Sequence, residues 1–174
     1  LYKEALTAEN VKGLADGVES VNTVTLAAAL DVNKDLTLES GILDVSTSDY
    51  AVAVGEDWTN NAGYGAFECR EGTVTLDGST TDNTLTTADA AFYNLTVSGT
   101  GQWDLGDALN VENILAVSAG TLDVSTSDCA ITAGTINQTG GALTSRSGTI
   151  TLNPGSDKNL NVTSTLNNLT LDTS

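Results

Sequence analysis

Three oxygen-bearing side chains alternate along the stretch DVNKD: Asp31, Asn33 and Asp35. Oxygens at every second position open a calcium loop, but such a loop also needs Gly at its sixth place and Glu at its twelfth. Leu36 and Ile42 stand there instead. On a strand, the same alternation is simply a solvent face. The trio is the only metal candidate, and no other cofactor is expected. Pairs of carboxylates can hydrolyse glycosides, and grooves that hold acidic sugars add basic residues to them. Here the bases are Arg70, Arg146 and four Lys, and the acids are scattered over outward positions. The chain has no His, which removes His-based general acid–base work and any Ser–His or Cys–His nucleophile. The sequence therefore reads as non-enzymatic, without catalytic residues.

Arg70 and Arg146 lie in matching contexts, CREGTVTL and SRSGTITL. Matching places in a stacked architecture suggest one edge of the stack, where the pair would be repeated surface contacts for an acidic neighbour or would make local ion pairs. Cys69 and Cys129 do not occupy matching places. Two unrepeated cysteines would form a disulfide, within or between subunits, in an oxidising compartment, and two core-filling thiols are the alternative. Sugar-stacking aromatics would be Trp58, Tyr64, Tyr93 and Trp103, which form no repeated row. Four sequons, at Asn94, Asn137, Asn161 and Asn168, suit an exposed surface.

Whatever positions these residues is written almost twice. GILDVSTSDY (41–50) returns as GTLDVSTSDC (120–129), GTVTL (72–76) as GTITL (148–152), and NLTV (94–97) as NLTL (168–171). The offset shrinks from 79 to 76 and then 74 residues, with the losses in turn-like stretches where insertions are tolerated. Within each unit, apolar residues alternate with polar ones over three to six positions, between Gly, Asn, Asp and Ser. Strands this short bury little as hairpins, but they can line a stacked coil whose small aliphatic residues form ladders, an outline that bulky aromatics would break. The expectation is an all-β, parallel β-helix-like solenoid of two tandem units of roughly 75–79 residues, with three or four coils of about 20–25 residues each. Two small β-sandwich domains are the alternative. The divisions are 1–20, a cap or extension; 21–99, the first unit; and 100–174, an incomplete second unit. In LTAENVKGLADGVES, Thr7 as a cap, Val11 and Leu14 on one face and Gly17 as a stop predict a short helix over the N-terminal end.

Net charge of −17, from 23 acidic and 6 basic residues, opposes nucleic acid and anionic membrane as partners. No apolar run approaches the ~18 residues of a membrane helix, and LYKEALTAEN does not read as a signal peptide, so a mature product or an excised piece is expected.

The series W-T-N-N, G-T-V-T-L, F-Y-N-L-T-V and GTLD over residues 21–174 resembles the tandem modules of large secreted bacterial surface proteins. The resemblance implies an extracellular, cell-surface β-helical adhesin or fibre segment without a catalytic site. A polysaccharide-binding module is the second expectation, with a glycan as its partner. The sequence also suggests that the chain's chief partner is itself. LNNLTLDTS matches AFYNLTVSG, so Ser174 corresponds to Thr100, and the residues that would follow match those from Asn22 onward. Head-to-tail stacking would bring Leu166, Leu169 and Leu171 against Val24, Leu26, Leu30 and Val32 of the next molecule, and a contact between unlike surfaces propagates rather than closes.

Overall fold

A computed structural model describes residues 22–153 and 159–172. The expected N-terminal helix lies outside them. Every strand pairing among the described residues is parallel, and the chain winds as a β-solenoid of about 7 turns. The β-sandwich alternative is thereby set aside.

The first coil contains β1 (Thr23–Thr25), β2 (Leu30–Val32) and β3 (Leu36–Leu38), one strand on each of three faces. The second repeats the order with β4 (Ile42–Asp44), β5 (Val52–Val54) and β6 (Trp58–Asn60), and the third with β7 (Phe67–Glu68), β8 (Thr73–Leu76) and β9 (Asn83–Thr86). From there the first two strands of each coil fuse around their corner. β10 (Phe92–Val97), β12 (Leu109–Val117) and β14 (Ile131–Gln138) each serve the first and second faces, while β11 (Gln102–Leu105), β13 (Thr121–Asp123) and β15 (Ala142–Thr144) continue the third. β16 (Thr149–Leu152), β17 (Leu160–Asn161) and β18 (Asn168–Leu171) complete the described stack.

Alternation explains both the shape and its stability. Each short strand turns one set of side chains inward, and parallel pairing places that set directly above its counterparts in the next coil. On the second face, Val52, Val74, Leu95, Leu115 and Ile136 form one buried column, and Val54, Leu76, Val97 and Val117 form another. Burying such a side chain fully contributes about 1.5–3 kcal/mol, so the columns carry the fold. The core also takes the large aromatics that sequence reasoning kept out of the coil. Trp58 meets Phe67 and Phe92 edge-on, with centroids at 4.9 and 5.1 Å, and all three rings are buried. Consecutive coils differ in register by 20 residues between Leu95 and Leu115 but by 27 between Trp58 and Leu85.

Copies of the sequence repeat do not share a face. LDVSTSD begins on the first face in β4 and on the third in β13. Likewise β5, on the second face, corresponds to the opening of β14 on the first. Counting β10, β12 and β14 twice, since each serves two faces, the unit β1–β10 contains eleven strand positions. Eleven positions on a three-faced coil fall one short of four full turns. The second copy is therefore displaced by one face.

Candidate functional site

The repeated phrase builds a corner. In the first copy Asp44 ends β4 with a carboxylate that accepts the Ser46 amide at 2.8 Å, while Asp49 N–H donates to Ser46 O and Tyr50 N–H to Val45 O. Ser46 and Asp49 adopt left-handed backbone, with φ of 66° and 53°. The second copy repeats this with Asp123 and Ser125 at 2.9 Å, and with φ of 61° at Ser125 and 53° at Asp128. In each copy the next coil then reaches back. Arg70 donates to Asp44 through Nε at 2.6 Å and Nη2 at 2.9 Å, and Arg146 donates to Asp123 at 2.6 and 2.8 Å. The planar guanidinium suits this two-bond grip in a way that a lysine ammonium does not. The Arg70 guanidinium holds the Asp44 carboxyl below its ordinary range, against the opposing effect of burial. Both carboxylates are buried, so the arginines lock one coil to the next within the chain. They do not share an edge of the stack: Arg70 follows β7 on the first face and Arg146 follows β15 on the third.

Other carboxylates work similarly. Asp35 accepts the Asp57 amide, Asp57 that of Thr84, Asp49 that of Glu71, Asp128 that of Ser147, and Asp107 those of Thr87 and Ala88. These acids bridge coils at corners, where backbone amides turn away from the strand ladders. Of the calcium trio, Asp31 points outward from the middle of β2, while the Asp35 carboxylate is engaged at the next corner. Among the described residues no group of three or more His, Cys, Asp or Glu is arranged to hold a metal ion.

Buried amide side chains mark a second motif that sequence reasoning missed. Asn60, in the W-T-N-N stretch, donates to Gly63 O and Thr87 O and accepts from the Ala62 and Gly63 amides. Gln138 stands at the matching place, donating to Gly141 O and Ser164 Oγ and accepting from the amides of Thr163 and Ser164. The signal was the retained amide chemistry, hidden because Asn had become Gln.

The cysteines are not brought together. Cys69 follows β7 and Cys129 precedes β14, three coils further along the first face, and both are free thiols. Three strand spacings separate them by about 14 Å, whereas a disulfide needs Cα atoms within about 7 Å. The bridge within one chain is thus excluded by the winding itself. Burial, reinforced by the charge of Glu112, pushes the Cys69 thiol up to about 11.

Of the sugar-stacking candidates, Trp58 and Trp103 are fully buried, and Trp103 donates to Glu56 O at 3.0 Å. Only Tyr64 is widely exposed, at 85%. No aromatic row faces outward among the described residues.

Apart from Ile114 in the middle of β12, which is 39% exposed, the remaining exposed large apolar groups among the described residues lie at the two ends of the described stack. Val24 on β1 is 64% exposed, while Leu169 and Leu171 on β18 are 45% and 65% exposed. Leu160 on β17 is exposed as well, and Leu26, Leu30, Leu36, Leu38, Val162 and Leu166 are half-buried against the core. Val32 is also half-buried. No helix among the described residues is long and apolar enough to cross a membrane. No protein-family model matches the chain, and neither does any curated protein or solved structure.

Proposed function

We propose that this chain is a non-enzymatic structural subunit of an extracellular surface fibre or adhesin, and that it assembles head-to-tail by stacking its solenoid ends. One observation carries the reading. Columns that are buried through the interior finish at each end of the described stack in exposed apolar residues, above all Val24, Leu169 and Leu171. A parallel strand edge with bare apolar side chains is a template for another strand, and unlike ends that fit each other propagate as a filament. The acidic surface and the resemblance to secreted surface modules support an extracellular setting. The arginines and many of the acids are engaged in holding coils together, which suits a structural role.

Electron microscopy of the purified chain beside the Leu169→Asp/Leu171→Asp variant tests this. The wild type should form filaments one solenoid wide. The variant should remain a soluble monomer with an unchanged β-rich circular dichroism spectrum, because both leucines lie on the last described strand and have none beyond them to support. Filaments of unchanged form in a folded variant, or a wild type that stays monomeric at high concentration, would contradict the proposal.

A further inference from the structure

Resting on that head-to-tail reading, we infer that the junction between molecules copies the seam inside the chain, with each following molecule turned by one face, a third of a turn. The internal seam is where the second unit begins. There β11 lies on β9, with Leu105 opposite Leu85, and β12 lies on β10, with Val111 opposite Phe92, Leu115 opposite Leu95 and Val117 opposite Val97. The repeat offsets carry each partner to an end of the described stack. Leu85 corresponds to Leu160, Phe92 to Leu166, Leu95 to Leu169 and Val97 to Leu171. On the other side Leu105 corresponds to Leu26, Val111 to Val32, Leu115 to Leu36 and Val117 to Leu38. The inferred junction therefore places Leu26 on Leu160, Val32 on Leu166, Leu36 on Leu169 and Leu38 on Leu171. Every position is aliphatic, and every one is exposed or half-buried in the single chain.

Strand phase makes the same choice independently. β18 opens a new level on the first face, while β17 ends the level below on the second. The segment 162–166 closes that lower level on the third face, where Ser164 Oγ accepts the Leu143 amide and Thr165 O accepts from Ser145 Oγ. A molecule docked face upon face would put β1 over β18 and leave an empty level above β17. Turned by one face, it puts β1 over β17, β2 over 162–166 and β3 over β18, and no level is missing. This also changes the contact expected from sequence: Leu36 and Leu38, rather than Val24, meet Leu169 and Leu171.

Cross-linking distinguishes the settings. In a Cys69→Ser/Cys129→Ser background, Thr170→Cys is combined with Thr37→Cys, its partner under the inferred register, or with Thr23→Cys, its partner face upon face. All three threonines lie on end strands and are exposed. They lie at opposite ends of one chain, so a short bis-maleimide can link them only between molecules. The 37/170 variant should give a ladder of covalent oligomers on a denaturing gel, and the 23/170 variant essentially none. A ladder from 23/170 with 37/170 silent, or filaments by microscopy with neither ladder, would overturn the inference and leave head-to-tail assembly standing. Absence of filaments in every variant and in the wild type would overturn both.

Discussion

Asp44 and Asp123 show what a repeated residue is for: each is a buried carboxylate that shapes its own turn and anchors an arginine from the next coil. Replacing Asp123 by Ala leaves the Ser125 amide without its acceptor and Arg146 without its counter-charge, so the variant should lose about 1–3 kcal/mol in urea denaturation. Arg146→Lys should not restore wild-type stability to that corner, since an ammonium cannot reproduce the two-bond grip. The Asp44 pair adds an acid limb. Because the folded carboxyl titrates below its unfolded value of 3.8, its stabilisation is complete above that pH and is lost as pH falls through the folded value. Asp44→Asn should flatten that part of the stability–pH curve, and an unchanged curve would remove the pair from the account. Cys69 behaves oppositely. Its thiol, raised to about 11 from 9.0, keeps its proton in the fold. The folded protein should therefore react with iodoacetamide at Cys69 far more slowly at pH 8 than the urea-unfolded chain does, as read by mass spectrometry, because the thiolate is the nucleophile. Equal rates would show that the site is not as enclosed as described.

Period-two alternation made the strands legible, and the repeat made the stack legible, because neither depends on which face a strand occupies. The faces themselves were not legible. A repeat of eleven strand positions looks the same in sequence whether the coil has three sides or four, and only pairing reveals that β4 and β13 lie on different faces. The aromatic core was misjudged for a related reason. Trp58 and Trp103 are both buried although consecutive coils differ by 27 residues beside the first and 20 beside the second, so turn length in sequence does not say where a large ring fits. Corners, in contrast, are unforgiving. Gly55, Gly78 and Gly99 stack so closely after the second face that a Cβ on Gly78 would lie 1.6 Å from Gly55 O, and one on Gly99 would lie 2.0 Å from Gly78 O. These are backbone contacts, so relief requires the coils to part. Gly78→Ala should cost about 1–3 kcal/mol or more by denaturant titration, whereas wild-type stability in that variant would mean that the coils are not packed as described.

At the scale of the whole molecule, the buried columns, the arginine locks and the carboxylate bridges all act between one coil and the next. Stability in such an object comes from nearest neighbours, and the ends are its weak places unless another coil covers them. The net charge of −17 opposes close approach of like molecules, and the proposed assembly uses the apolar ends of the described stack instead. The described stack holds twenty-two strand positions if 162–166 is counted as one, or seven and one third turns. At about 4.8 Å per strand level this gives a subunit step of about 35 Å along the proposed filament. Helical reconstruction of the proposed filaments by cryo-electron microscopy would measure that step and image the seam directly. The account predicts strand spacing that continues unbroken through every subunit boundary, with Leu36 seated on Leu169 and a step near 35 Å; a missing level at the boundary, or subunits joined through their acidic walls, would contradict it.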